Sequence, residues 1–218
     1  MQLVLLGAPG AGKGTQGQLL EERFSLVRVA TGDLLRRAIA DGTRLGDEAN
    51  AYMSRGELVP DELVMELVRE KLQSPDVARG FILDGFPRNK NQAERLDNLL
   101  SEWGRQTLTA ALYLEVDEAV LIARLTGRRI CPNCGASFHL TGRPPKLEGK
   151  CDVCQSQLIQ RPDDTEEVIR NRLQIYRRQT EPVLTFYETL GVLRRIDGNG
   201  SLYDIFGRIL DILGAGKR

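Results

Sequence analysis

A chain of 218 residues, 41% hydrophobic and 28% charged, has the makeup of a soluble globular protein with room for a buried core. Its 30 basic and 30 acidic residues cancel, which excludes a global field drawing it to nucleic acid or to an anionic membrane. The apolar runs fall far short of a bilayer span, and the chain enters a strand with no basic leader, so the expectation is a cytosolic protein whose four cysteines are metal ligands or free thiols rather than disulfides.

Leu3 to Leu6 is a short apolar run that predicts a buried strand, and residues 18–23 have helical composition. Between them stands Gly7-Ala8-Pro9-Gly10-Ala11-Gly12-Lys13-Gly14-Thr15. Strand, glycine-rich loop, lysine, hydroxyl residue and helix form the layout of a phosphate-binding loop. The glycines let backbone N–H groups turn toward phosphate oxygens, and the helix that begins at Lys13 adds the positive end of its dipole. Lys13 would reach the β- and γ-phosphates, and Thr15 offers a hydroxyl to Mg²⁺. Gly14 departs from the general motif, in which the hydroxyl residue follows the lysine directly. A glycine-rich turn that merely caps a helix is the bland alternative, disfavoured by the lysine offset and the flanking strand and helix. The loop predicts binding of a nucleoside polyphosphate.

Leu26 to Val29 predicts a second strand. Thr31 or Asp33 is a candidate cap for a helix through Leu34, Leu35 and Ile39, a further helix spans about 45–54, and Asp61 starts another. Residues near 30–60 are thus a helical excursion from an α/β core, read either as packing or as a substrate lid. Phe81-Ile82-Leu83 predicts a strand ended by Asp84-Gly85-Phe86-Pro87-Arg88. An aspartate at the carboxyl end of a buried strand suits Mg²⁺-bound water near the phosphate loop, whereas a plain turn is the simpler reading. Arg88 supplies a planar, permanently charged phosphate donor. A helix follows from about 89 to 100, then a strand over 110–116 and a helix capped by Asp117. Arg124 and Arg128 share one face if helical geometry persists to Arg128, a hint of a phosphate-facing pair against the ordinary reading of a solvated basic helix end.

Cys131-x-x-Cys134 and Cys151-x-x-Cys154, sixteen residues apart, use every cysteine of the chain. Two such knuckles match a four-thiolate zinc site, which leaves no open coordination position and is therefore structural. His139, the single histidine, is not needed as a ligand and is expected to pack or hydrogen-bond within the knuckle; its isolation excludes Ser-His and Cys-His chemistry. A stapled segment of this size suits a rigid flap. The acidic residues of 163–167 suit the N-terminal dipole of a long helix, which Pro182 should kink or interrupt, and a last strand over 192–196 precedes a closing helix. Five strands alternating with helices predict a parallel sheet.

The blocks Gly7–Thr15, Thr31-Gly-Asp33, Asp84-Gly-Phe-Pro-Arg88, Gly127-Arg-Arg129 and Arg161-Pro-Asp-Asp164 resemble the signature blocks of adenylate kinase in order and spacing, over essentially the whole chain. Gly14 is that family's own pattern, and the cysteines resemble the zinc-bearing lids of its long-lid bacterial form. The resemblance implies a five-stranded parallel sheet flanked by helices, of the P-loop NTPase and nucleoside monophosphate kinase type, with a small zinc-stapled β lid. It implies a core of 1–29, 60–126 and 165–218, an AMP-binding insert of 30–59 and a lid of 127–164.

On the same basis Gly10, Ala11, Gly12, Lys13, Gly14 and Thr15 would bind ATP phosphates, with Arg128, Ser137, Phe138 and Gly200 helping to hold ATP and Arg124 stacking on its adenine. Thr31, Arg36, Met53, Glu57, Leu58, Val59, Gly85, Phe86, Pro87, Arg88 and Gln92 would line the AMP site. Arg161 and Arg172 would contact the transferring phosphates, and Asp84 would organise Mg²⁺ through water. Asn89 departs from the family's commonest block, which has threonine there; little effect is expected. The implied reaction is MgATP + AMP ⇌ 2 ADP by a monomer, with Lys13, Arg88, Arg128, Arg161 and Arg172 neutralising the transferred phosphoryl. A kinase for UMP, CMP or GMP is the nearest rival. A P-loop protein with a nucleic-acid-binding zinc ribbon is the remote one, since 131–154 carries only Arg143, Lys146, Lys150 and one aromatic, Phe138.

Overall fold

The computed structural model describes residues 1–104 and 108–215. Five parallel strands form the central sheet in the order β2-β3-β1-β4-β7: β1 Gln2–Leu6, β2 Val27–Ala30, β3 Phe81–Asp84, β4 Ala110–Glu115 and β7 Leu193–Asp197. All five predicted strands are present. Their apolar side chains alternate between the faces, as a two-residue period requires. Leu3, Leu5, Ile82, Leu112 and Leu114 pack to one side, while Val4, Leu6, Leu83, Ala111 and Tyr113 pack to the other.

The first face is covered by α1 (Lys13–Phe24), α6 (Glu118–Thr126), α7 (Glu166–Ile175) and α9 (Leu202–Ile212). The second is covered by α2 (Thr31–Ala40), α3 (Arg44–Met53), α4 (Asp61–Gln73), α5 (Lys90–Glu102) and α8 (Val183–Thr189). The edge strand β7 keeps Arg194 and Arg195 exposed, charges that discourage pairing with another chain. None of the described helices is long and apolar enough to cross a membrane.

Several local expectations are corrected. The helix after β2 begins at Thr31 itself, with Ala30 at its cap and no side-chain cap; the Thr31 hydroxyl instead donates to the Gly85 carbonyl at 3.0 Å. Asp117 stands at the cap of α6, but its side chain makes no capping bond. Real side-chain caps come from Thr43 on α3, Asn89 on α5 and Ser201 on α9. Pro182 acts earlier than its own position. It has no N–H to offer the ladder, and the turn over Tyr176–Thr180 widens so that Glu181 N–H reaches the Tyr176 carbonyl at 2.9 Å.

The stretch after α6 folds separately from the sheet. β5 (Arg128–Ile130) pairs antiparallel with β6 (Ser137–His139), and Ile130 bridges Ile159. Its buried cluster is only Cys131, Phe138, Cys151 and Leu158, too little apolar matter for independent stability.

α2 and α3 meet at unusually close range. A Cβ on Gly46 would lie 2.2 Å from the Ala38 carbonyl oxygen, backbone that cannot swing aside. Gly46→Ala should therefore destabilise the protein by about 1–3 kcal/mol, measured by urea unfolding, although alanine is the better helix former.

Candidate active site

The carboxyl end of β1 delivers the glycine-rich loop to the middle of the sheet, where open α/β sheets bind ligands. Gly7 has a φ of +143°, and a Cβ there would meet the Leu114 carbonyl oxygen at 2.8 Å. Gly12 caps α1 with a φ of +96° and open space around its Cα, so backbone conformation demands the glycine there. The first turn of α1 has no acidic residue and no side-chain cap, which leaves its N–H groups and dipole for an anion. Lys13 Nζ folds back to donate to the Gly7 and Ala8 carbonyls at 2.7 and 3.0 Å.

Parallel register sets Asp84 beside Leu5 on one side and Ala30 on the other, directly next to this loop. A Cβ at Gly14 would lie 3.5 Å from Asp84 Oδ2, an ordinary contact, so the glycine leaves the carboxylate uncovered rather than relieving a clash. Asp84 Oδ2 pairs with Arg28 Nη1 at 3.1 Å, and the same nitrogen lies 3.5 Å from Asp33. Arg28 had no role in the sequence reading. Its place on a short strand beside a glycine-rich helix, against Gly17, is visible only once the chain is folded.

A cleft opens from this corner, lined by Gly7, Pro9 and Lys13 of the loop, Arg36, Met53, Glu57 and Leu58 of the helical excursion, Gly85, Pro87 and Arg88 after β3, and Asp163 and Arg172. A smaller cavity continues it, lined by Thr31, Met53, Leu58, Val59, Arg88 and Gln92. The excursion therefore faces the phosphate loop across a shared opening. Arg36 is not a solvated residue; it is mostly buried, donates to Asp33 at 2.6 Å and faces the cleft. Phe86 is fully buried, and its neighbours Gly85, Pro87 and Arg88 form the wall.

The cations of the cleft are held by carboxylates the sequence reading had assigned to a helix dipole. Asp164 is completely buried and takes a bidentate fork from Arg128 at 2.7 and 2.5 Å, with Arg172 Nη1 at 3.2 Å. Arg172 also pairs with Asp163 at 3.0 Å. Arg161 reaches Asp33 at 3.3 Å, joining the stretch after α6 to the stretch after β2. Burial alone would raise the Asp163 carboxyl, but Arg172, Arg36, Arg128 and Arg161 together hold it below its ordinary range. Burial and the neighbouring Arg172 and Arg36 push Arg88 down to about 10. Burial, partly offset by Asp84 and reinforced by Arg88, Arg172 and Arg128, pushes Lys13 down to about 8. A pocket so crowded with cations is incomplete without a polyanion.

Arg124 and Arg128 do not form the expected pair. α6 stops at Thr126, so Arg128 leaves on β5 to Asp164, while Arg124 donates to the Gly198 and Ala11 carbonyls at 3.1 and 3.5 Å. Gly200 lies in the turn between β7 and α9. Ser137 and Phe138 lie on β6, where Phe138 is buried against the cysteine cluster.

The four cysteines are free thiols whose Sγ atoms lie within 4.8 Å of one another, with Cys131 and Cys154 at 3.3 Å and Cys134 and Cys151 at 3.5 Å. Such a cluster could hold a metal ion. His139 stands outside it, and the correction to the sequence reading is that its bonds reach beyond the knuckle to α6. Its Nδ1 accepts from the Gly142 and Thr141 N–H groups at 2.9 and 3.1 Å, so Nε2 carries the proton and donates to the Ala123 carbonyl of α6 at 3.2 Å. The histidine pins the flap to the core.

The family model described as Adenylate kinase matches residues 5–192. The chain belongs to the adenylate kinase family. A protein named adenylate kinase from Thermodesulfovibrio yellowstonii is 54% identical over 213 residues, covering 98% of this chain and 99% of that protein. Its namesake from Syntrophobacter fumaroxidans is 51% identical over 214 residues, covering 98% and 100%. One from Clostridium perfringens is 46% identical over 217 residues, covering the whole of both. For a member of the adenylate kinase family, the acidic partners Asp33, Asp163 and Asp164 were visible as members of signature blocks, but each pairs with an arginine from outside its own block.

The Lys13 shift makes polyphosphate binding pH-dependent with a definite sign. A bound polyanion favours the ammonium and raises its pKa, so binding takes up a proton wherever the free lysine is neutral, and affinity falls as pH rises through about 8. Calorimetry of ATP binding in buffers of different ionisation enthalpy should show uptake rising from about a quarter of a proton at pH 7.5 to nearly one at pH 9. Uptake that stays flat, or that persists in Lys13→Met, would contradict this assignment.

Proposed function

We propose that the cleft is a two-substrate clamp in which the chain transfers a phosphoryl group reversibly between ATP and AMP, giving two ADP. The observation that carries this reading is the convergence of the phosphate loop, the helical excursion, Arg88 and Arg172 on one opening, with no histidine among them. Residues 10–15 and Arg128 would hold the ATP phosphates, with Ser137, Phe138 and Gly200 contributing to the nucleotide and Arg124 beneath its base. Thr31, Arg36, Met53, Glu57, Leu58, Val59, Gly85, Phe86, Pro87, Arg88 and Gln92 would form the AMP side.

The nucleophile is an oxygen of the AMP phosphate, ionised at neutral pH, so no general base is needed. What remains is in-line positioning and neutralisation of charge. Lys13, Arg88, Arg128, Arg161 and Arg172 are assigned that work. Planar guanidinium forks suit phosphate oxygens, and the buried carboxylates Asp163 and Asp164 hold two of those forks in place. Mg²⁺ fits the oxygen donors at this corner: Thr15 and, through water, Asp84 would hold it, and it would draw charge from the bridging phosphate oxygens. Asp84 would then exchange its present bond to Arg28.

The chain is read as three bodies: a core of 1–29, 60–126 and 165–218, an insert of 30–59 and a lid of 127–164. The Arg161–Asp33 pair joins lid to insert across the cleft, a contact that closure would make and opening would break. Closure keeps water from accepting the phosphoryl group. Zinc is the metal proposed for the lid. Four thiolates about 2.3 Å from one ion lie about 3.8 Å apart, close to the sulfur separations present, and backbone N–H groups of Cys134 and Val153 approach Cys131 and Cys151 Sγ at 3.5 and 3.4 Å. The enzyme is read as a cytoplasmic monomer.

ADP formation from ATP and AMP tests the reading. Lys13→Ala should lower kcat by at least about 10³-fold with the fold intact by circular dichroism; near-normal turnover in that variant would refute the mechanism. Removing the lid metal with a chelator should lower the melting temperature by several degrees while the remaining folded enzyme keeps most of its kcat, because a four-thiolate ion has no seat in the chemistry.

A further inference from the structure

Gln92 is 1% exposed yet lines the smaller cavity with Thr31, Leu35, Met53, Val59 and Val64. Its side-chain amide is gripped from both ends. Nε2 donates to Asp61 Oδ1 at 2.7 Å, and Oε1 accepts from the Arg88 backbone N–H at 2.8 Å. The orientation follows from chemistry: a carboxylate only accepts, and a backbone N–H only donates, so a flipped Gln92 would set oxygen against oxygen and hydrogen against hydrogen.

Asp61 is itself fixed. It opens α4 and collects Asn89 Nδ2 at 2.8 Å on the same oxygen and Asn91 Nδ2 at 2.7 Å on the other. Asn89 also caps α5 through its Oδ1, which accepts from Gln92 N–H at 2.8 Å. Burial would raise the Asp61 carboxyl, but the donors from Asn91, Asn89 and Gln92 hold it below its ordinary range, so it remains an acceptor throughout neutral pH. Asn89 thus supplies Asp61 with an amide donor where the family's commonest block has a threonine.

We propose that Asp61 is a positioning residue for base selection: with the Arg88 N–H it locks the Gln92 amide in the one orientation that complements adenine and opposes a 6-oxopurine. This rests on the reading that Gln92 faces the AMP base. Each end of the locked amide keeps one further hydrogen-bonding position, an N–H on Nε2 and a lone pair on Oε1. Adenine presents an N6 amino donor and an N1 acceptor, which match that lone pair and that N–H. Hypoxanthine and guanine present an O6 acceptor and an N1–H donor in the same places. A freely turning glutamine would serve both kinds of base by rotating its amide; the locked one rejects the second by unpaired, opposed dipoles.

The test compares three monophosphate acceptors that differ only at the purine 6-position: AMP, the monophosphate of unsubstituted purine riboside, and IMP. The wild-type enzyme should rank them in that order by kcat/KM, because unsubstituted purine loses one bond while hypoxanthine also meets a clash. In Asp61→Ala, which removes the acceptor that holds Gln92 Nε2, kcat/KM for IMP relative to AMP should rise at least about tenfold. The change should lie in KM, the purine-to-AMP ratio should stay put, and KM for ATP should be unchanged. An IMP-to-AMP ratio unaltered in Asp61→Ala, whatever its melting temperature, overturns the proposal. So does a wild-type enzyme that uses IMP as well as purine riboside monophosphate, a comparison that needs no variant to fold. Gln92→Ala separates the two levels: a raised KM for AMP supports the base-site reading independently of Asp61, and an unchanged one overturns that reading and the lock with it.

Discussion

The site is governed by electrostatic repulsion among buried cations. Lys13, Arg36, Arg88 and Arg172 line one cleft, with Arg128 and Arg161 behind them. Left alone, such a group would push itself apart or shed protons, and burial, with the nearby Arg88, Arg172 and Arg128 adding to it, already holds Lys13 down at about 8. Four carboxylates prevent this. Asp164 and Asp163 hold Arg128 and Arg172, Asp33 bridges Arg36 and Arg161, and Asp84 holds Arg28 beside the loop. Removing Asp164 would leave the mostly buried Arg128 guanidinium without its carboxylate, which costs more than the pair itself contributes.

The fold serves that arrangement by bringing distant stretches to one end of the sheet. β1 lies at the centre, so the phosphate loop emerges between neighbours whose carboxyl ends carry Asp84 on one side and Leu114 on the other. Of the covering helices, α2 and α7 present Arg36 and Arg172 to the cleft from within their length, and α3 presents Met53 from its end. The flap past α6 has almost no apolar core of its own, and four cysteines cluster where a core would be. Its attachment to the rest of the chain runs through His139 and Ala123, Asp164 and Arg172, and Arg161 and Asp33, polar links rather than packed apolar surface. Such links can break and re-form without exposing a core.

The strands were legible because each is a short, fully apolar run between turn residues, the pattern of strands buried on both faces. The glycine-rich loop and the cysteine knuckles were legible because their function depends on local spacing. Helix caps were read less well. Thr31 and Asp33 look like caps in the sequence, but the fold gives Thr31 to the Gly85 carbonyl and Asp33 to arginines. The paired placement of Arg124 and Arg128 failed for a related reason, since helical spacing says nothing once the chain turns at Gly127 and leaves as a strand.

The sequence by itself determined the local chemistry: a loop that can surround phosphate, four thiols at metal-binding spacing, and an unusual number of arginines in short, punctuated blocks. Those features depend on residues a few positions apart, and chain connectivity fixes them. Only the tertiary structure decided which carboxylate neutralises which arginine, that Arg28 rather than solvent faces Asp84, that His139 bonds to the Ala123 carbonyl of α6, and that Gln92 is held by Asp61. These partners lie up to 128 positions apart, as Arg161 and Asp33 do, and they meet only because sheet register and burial bring them together.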